Sequence, residues 1–595
     1  MPNPESPALL LGPLLRYVGP ARAGAAQTGE AQTGEAQTGE AQTGQAQATV
    51  WVEVNRPARV RVDVGLPDGT TVSGSSPTLT LHGHHFALVV VSRLPSGRRL
   101  PYEVLVDEVR LWPPRDPAWS WPVSEIRTPD DAAPLRLAFG SCRRAGDDGV
   151  TSNALVGVDA LSALARRMAS EADDEQRWPD LLLFVGDQVY ADDPNPAIVE
   201  RLRERHVDRR DADEEVRDEI GDFEEYTWLY HETWGHEAVR WLLSTVPTCM
   251  LLDDHDLRDD WNTSAAWRER VSALPWWRDR VTGAFASYWI YQHLGNLSPA
   301  DLAEDHLLCE LTATEDDTTR DRLLDEFARG ADADPSSARW SFARDLGATR
   351  LLAIDSRCAR RLEPSRRRIT DAAEWDWLRA KALGQDRARP VEHLLLATTL
   401  PAFLLHGIHH AETFDEAVAD GAWGRRAAGL AEKLRQGADL EHWAAFHGSF
   451  RELLTLLGDV ASTPQPPSSV LLLSGDVHCS YTAQVSVPGV DASRTVIHQL
   501  VMSPFRNPLH RTMKMANRLL DTRPVRGFIR GLAMAAGVRE PEVSWNVEHG
   551  PWFANGVMTV DLEPTGRADV EVDHAHLDCR GLPELRRTLT RRLSA

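Results

Sequence analysis

Four apolar runs in this chain end in residue types that can ligate metal ions. Leu135–Cys142 (LRLAFGSC) ends in a thiol, and Leu181–Asp192 (LLLFVGDQVYAD) carries Asp187 and Tyr190. Met250–Asp256 (MLLDDHD) sets Asp253, Asp254 and Asp256 around His255, and Val470–His478 (VLLLSGDVH) ends in Asp476 and His478. Clustered carboxylates suit a hard cation such as calcium, whereas thiolate, phenolate and imidazole suit a transition metal. Three carboxylates around one histidine repel one another unless a cation lies among them. Asp476 and His478, two residues apart, project to the same side of an extended segment. Each group also has a plainer reading. Asp187 would cap a helix, Tyr190 would pack in a core, the Asp253–Asp256 stretch would be a solvated acidic turn, and Cys142 would be a small buried hydrophobe.

Uninterrupted apolar runs of this kind read as strands buried on both faces, and open α/β sheets hold their sites just beyond the carboxyl ends of strands. Four such ends from distant parts of the sequence therefore point to one shared site. Between them lie helical stretches such as Asp159–Met168 and Trp375–Ala382, an α/β alternation. Two Trp-, Arg- and acid-rich segments, Pro194–Val246 and Trp261–Ala343, read as helical insertions, and Asn507–Gly537 as a further helical excursion. Gly556–Leu562 (GVMTVDL) reads as a late strand that closes the sheet.

Ahead of this region the texture differs. Thr49–Val54, Ala58–Val64, His85–Val91 and Tyr102–Glu108 alternate apolar and polar residues between Gly, Pro and Asn, the pattern of an antiparallel β-sandwich. The expected division is residues 1–130 as a sandwich of immunoglobulin or fibronectin type and 131–595 as the α/β domain, joined by the linker Thr128–Pro134. The AQTGE repeats within residues 26–47 lack side chains that build a core and are expected to form a disordered loop.

Composition excludes several functions. A chain of 595 residues exceeds a single core. Its net charge of −23 argues against duplex nucleic acid as a partner, although bound metal ions would still admit a small phosphorylated substrate. No apolar stretch is long enough to span a bilayer. The first residues show no basic leader, twin arginine or cleavage site, so a cytoplasmic location is expected. Six scattered cysteines without a CxxC pair fit a reduced compartment. No GxxxxGK[ST] loop is present. Neither Cys142 nor Cys479 has the arginine six residues on that a cysteine phosphatase needs, since Asp148 and Val485 stand there.

Taken in order, FGSC, GDQVYAD, LDDHDLRDDWN, the IDSR at Ile354–Arg357, LSGDVHCSY and the QLVMSPFRNPL at Gln499–Leu509 give the chain a family likeness. It resembles the alkaline phosphatase D (PhoD-like) branch of the calcineurin-like metallophosphoesterases, relatives of the purple acid phosphatases, over nearly its whole length. The resemblance implies an N-terminal sandwich followed by a four-layer αββα domain with helical insertions. It implies a ferric ion (Fe3+) held by Cys142, Asp187, Tyr190 and His478. It also implies one or more calcium ions (Ca2+) shared through Asp187 and held by Asp254 and Asp476, with Asn262 close by. The implied reaction is metal-dependent hydrolysis of phosphate monoesters or diesters, on a small-molecule or lipid substrate, by a hydroxide bridging the metals.

In that scheme His255 is the candidate to orient substrate or protonate the leaving oxygen. Arg357 either clamps a phosphate oxygen or pairs with an acidic ligand. Relative to the wider superfamily, the first Asp-x-His is replaced by Gly-Ser-Cys, and the first His of the last His-x-His by Asp476. Both replacements fit the PhoD-like branch. The isolated histidine between the third and last motifs has no clear counterpart: Thr399, His406, His409 and His410 are available and none is assigned. Members acting on extracellular phosphate are secreted, which the expected cytoplasmic location does not match. Two rival readings are a non-catalytic scaffold that retains the fold and a related metallohydrolase acting on non-phosphate esters.

Overall fold

A computed structural model describes residues 6–20, 45–171, 178–206, 217–387, 389–509, 514–515, 519–520, 522–539 and 541–594. Most of the AQTGE repeat lies outside the described residues, but its expected tail, 45–47, is already strand.

The first strands are β1 (Leu9–Pro20), β2 (Gln45–Val54), β3 (Arg59–Gly65), β4 (Thr71–Pro77), β5 (Leu79–Leu81), β6 (His84–Pro95), β7 (Arg99–Val106), β8 (Val109–Trp112) and β9 (Glu125–Arg127). One sheet has the order β1-β2-β6-β5, the other β4-β3-β7-β8 with β9 added to β7. Val50, Val52, Val60, Val62, Val89 and Val104 fill the space between them. The four alternating runs are thus β2, β3, β6 and β7. Strand β1 has no alternation to announce it, because both its faces are buried: Leu15 and Val18 join the sandwich core, Leu11 and Leu14 pack outside it, and Arg16 reaches out of it. Arg16 Nη2 donates to the Gln292 carbonyl at 2.6 Å and Nη1 to that of Tyr291 at 3.2 Å.

The rest of the chain contributes β10 (Leu135–Gly140), β11 (Leu181–Val185), β12 (Thr248–Leu251), β13 (Phe342–Leu346), β14 (Thr349–Ile354), β15 (His393–Thr398) and β16 (Ser469–Ser474). Then come β17 (Ser480–Ser486), β18 (Val496–Val501), β19 (Ser544–Trp552), β20 (Gly556–Leu562), β21 (Ala568–Leu577) and β22 (Pro583–Arg592). They form two sheets, β12-β11-β10-β20-β21-β22 and β13-β14-β15-β16-β18-β17-β19.

Strand β11 explains why the apolar runs lack polar alternation. Leu181, Leu183 and Val185 face the opposite sheet, in a core with Leu351, Leu395 and Leu471. Leu182 and Phe184 face outward against helices, among them Ala160–Ser170 and Glu237–Thr245. On the far side Leu352, Leu394 and Leu472 meet helices Ala372–Ala382 and His447–Ala461. The order helix, sheet, sheet, helix is the expected αββα arrangement. Strand β20 differs in place from the expectation: it lies antiparallel to β10, with Leu137 opposite Val560, and two more strands follow it outward.

Strands β10, β11 and β12 run parallel, as do β14, β15 and β16, so the carboxyl ends within each set share an edge. The expected insertions are helical, including Phe223–Gly235 and Asp317–Ala333, and the late excursion contains the helix Arg523–Ala535. Among the described residues no helix is long and apolar enough to cross a membrane.

Candidate metal centre

The four strand ends meet. Ligand atoms of Cys142, Asp187 and Asp476 all lie within 4.8 Å of one another, and so do those of Asp187, Asp253 and Asp254. Asp187 is common to both groups. Tight turns make this possible. A Cβ at Gly475 would lie 2.1 Å from Ser141 Oγ, and one at Gly186, where φ is +106°, would lie 2.7 Å from Asp253 Cβ. Cys142, Asp187, Asn262, Asp476 and His478 all adopt left-handed φ angles between 47° and 65°. Such conformations are costly for residues with a Cβ and persist where surrounding structure enforces them.

Backbone bonds supply that enforcement. The loop after β10 is stitched to the loop after β11 by Cys142 N donating to Gly186 O (3.4 Å) and Arg143 N to Asp187 O (3.2 Å). The loop after β18 joins through Phe505 N to Ser141 O (2.7 Å) and Arg506 N to Cys142 O (3.1 Å). Asp256 ties the turn after β12 to β11 by accepting from the amides of Gln188 and Val189, each at 3.2 Å.

The donor set fits a cation. Asp187 Oδ1, Asp253 Oδ2 and Asp254 Oδ1 are buried without a hydrogen-bond donor. Burial and the neighbouring carboxylates push the Asp187 and Asp476 carboxyls well above their ordinary range. Burial, followed by Asp187 and Asp476, does the same to the Cys142 thiol. A cation among these groups would reverse the balance and hold them ionised. The Tyr190 hydroxyl lies 3.2 Å from Asp187 Oδ2 and accepts from Asn507 Nδ2 at 3.0 Å. His478 donates from Nδ1 to the Asn507 carbonyl at 2.7 Å, which fixes its ring in the way metal-binding histidines are commonly fixed. Burial lowers its pKa to about 4, so the imidazole is neutral and able to ligate.

His442 supplies a donor that sequence reasoning missed. Its Nδ1 lies 2.6 Å from Glu412 Oε1, while its buried Nε2 has no hydrogen-bond partner and faces Asp476 Oδ2 at 3.7 Å. No local pattern announced it, since Glu412 and Asp476 reach it from a helix and from a distant strand end. His406, His409 and His410 lie elsewhere, on the helix His406–Ala419, where His409 packs between Phe450 and Trp545.

His255 lies at the rim, its Nδ1 held by the two Asp192 oxygens at 2.9 and 3.0 Å and its ring against Tyr190. Burial opposes its charge, but Asp192 outweighs burial and holds the pKa well above the ordinary value. Asp192 was in view within GDQVYAD, yet nothing in the sequence told its role from that of Asp187.

Arg357 lies among acidic side chains. It is fully buried, pairs with Asp253, donates to Glu441 Oε2 at 2.5 Å and lies 3.3 Å from Asp254 Oδ1. It is thus enclosed by carboxylates, while its Nη2 has no hydrogen-bond partner and lies 4.0 Å from Asp476 Oδ2. Asn262 is also engaged at both ends of its amide. Its Oδ1 accepts from Arg268 at 3.0 Å and its Nδ2 donates to the Arg357 carbonyl at 3.1 Å.

Residues 162–308, which contain Asp187, Tyr190, Asp192, Asp254, His255 and Asn262, match the family model of the PhoD-like phosphatases. The match covers about a quarter of the chain, and it is to a PhoD-like phosphatase model. The match supports a phosphoesterase hydrolase. Residues 41–126 match a domain of unknown function, DUF7800. Among solved structures, one described as "Structure of PhoD" has the same fold, with a TM-score of 0.56 and 12% identity over 100% of this chain and 94% of that one. The purple acid phosphatase PPD1 from yellow lupin (Lupinus luteus) seeds gives a TM-score of 0.45 and 10% identity over 89% of this chain and 70% of that one. No curated protein matches the sequence.

Proposed function

We propose that this protein cleaves phosphate esters with the help of metal ions, which Asp187 and the donors around it would hold. The observation that carries the reading is the position of Asp187 in both donor groups, with its Oδ1 buried and unpartnered. Cys142, Tyr190 and His478 are the donors suited to iron. Asp254 and Asp476 suit calcium, with Asn262 beside them and His442 as a further donor. Such ions, when bound, acidify an attacking water and neutralise charge on the phosphate oxygens.

The protein's own residues do the rest. His255, charged and oriented by Asp192, delivers a proton to the leaving oxygen. Arg357 and Glu441 keep the carboxylates of Asp253 and Asp254 in register. Glu412 and the Asn507 carbonyl set the ring orientations of His442 and His478. The substrate is a phosphorylated small molecule or lipid.

Parallel assays on nitrophenyl phosphate, bis-nitrophenyl phosphate and a nitrophenyl carboxylic ester, with and without prior chelation, test this reading. Turnover of a phosphate ester that chelation abolishes is expected. Turnover of the carboxylic ester alone would support the non-phosphate rival, and no turnover of any of the three by metal-loaded protein would support a scaffold.

A further inference from the structure

We propose that the helical lobe containing Arg523–Ala535 is a docking surface for an anionic lipid bilayer. This helix packs on His406–Ala419, as does the helix Arg425–Gly437, and Val418, Ala431 and Ala536 form the small core that joins them. Outside that core the lobe leaves large apolar side chains in solvent. Phe528 is 67% exposed, Met534 58% and Leu430 71%, and Leu434 and Trp423 are about half exposed. Single exposed apolar residues need no explanation, but five of the fifteen large ones among the described residues lie on this one lobe.

Charge selects the occupant. The chain as a whole carries −23, yet residues 522–539 contain four arginines (Arg523, Arg526, Arg530 and Arg539) and no acidic residue. The neighbouring helix adds Arg425, Arg426 and Lys433 against Glu432, while its Arg435 is buried and paired with Glu416 and Glu432. Aromatic and aliphatic anchors flanked by basic residues are the chemistry of a helix lying in the interface of an anionic membrane. A second copy fits less well, because it would set one basic lobe against another.

Flotation of the full-length protein with vesicles of phosphatidylcholine alone, or mixed with phosphatidylglycerol, tests the proposal. Two double variants accompany it, Phe528→Ser with Met534→Ser and Arg425→Glu with Arg523→Glu, each checked for folding by circular dichroism and thermal midpoint. The wild type should float with the mixed vesicles only, and less so as salt rises. Each variant should lower the bound fraction by about tenfold or more. Flotation that ignores phosphatidylglycerol, no flotation, or flotation unchanged in both variants would overturn the proposal. So would a dimer that dissolves in Phe528→Ser with Met534→Ser while no vesicle is bound, which would assign the face to a second copy.

Discussion

His442 and Asp476 face each other across 3.7 Å, and Glu412 holds the far side of the imidazole at 2.6 Å from Nδ1. A carboxylate behind a histidine whose other nitrogen is buried and unpartnered is the arrangement that orients metal ligands. Glu412→Gln is therefore expected to weaken retention of one metal ion by about 10- to 100-fold, and His442→Ala to weaken it further. Metal content after dialysis, read beside turnover, checks this. Full metal content in His442→Ala would remove the residue from the centre.

Cys142 gives a second test. Burial and two carboxylates keep the metal-free thiol protonated, so iron must displace a proton to bind. Iron loading should rise with pH across the neutral range and fall in acid. Cys142→Ser should bind iron more weakly at every pH, because a hydroxyl is a poorer ligand than a thiolate. Iron content measured over a pH series decides it, and an identical curve for the variant would leave Cys142 a structural residue.

The pair His255 and Asp192 predicts a pH profile. Burial alone would raise Asp192, but His255 outweighs it and brings the carboxyl to about 2, which leaves His255 charged. His255→Gln should lower kcat by about 10²- to 10⁴-fold. Asp192→Asn keeps the ring but removes its counter-charge, so the alkaline limb of kcat should move to lower pH. An unchanged limb would mean that His255 is not the proton donor.

These assignments divide what was legible in the sequence from what was not. Leu181–Val185 declared a strand buried on both faces, because each side chain has an apolar neighbour on one sheet face or the other. Asp187, Tyr190, Asp254, Asp476 and His478 stood out because each closes or follows such a run. His442 did not, since it precedes a short turn, Trp443–Ala445, and only the packing of distant elements gives it meaning. The partners of Arg357 were likewise not legible, since they come from the end of β12 and from Glu441. Strand β1 escaped because it is buried on both faces and bulged, which leaves no alternation to read.

A fourth prediction concerns the contact between the sandwich and the α/β region. Glu53 on β2 is fully buried and meets His84 Nδ1 (2.8 Å), His231 Nε2 (2.7 Å) and the Tyr291 hydroxyl (2.8 Å). Burial would raise Glu53, but His231 and His84 hold it down at about 2, below its ordinary 4.5. Its contribution is present above pH 4.5 and is lost as pH falls toward 2. Burial would lower His84, but Glu53 and Glu224 raise it above 6.5, so its contribution is complete below that value and is lost as pH rises through the raised one. The thermal midpoint should therefore decline on both sides of a mildly acidic optimum. Glu53→Gln should cost about 3–5 kcal/mol and flatten both limbs, as followed by scanning calorimetry. A flat wild-type profile would contradict this.

The central claim, a metal centre organised on Asp187, is tested most directly by elemental analysis of pure protein alongside phosphate-ester turnover, for wild type and Asp187→Asn. Iron and calcium should accompany the wild type, and Asp187→Asn should lose both metal and turnover. Metal-free wild-type protein with full phosphate-ester turnover would contradict the account.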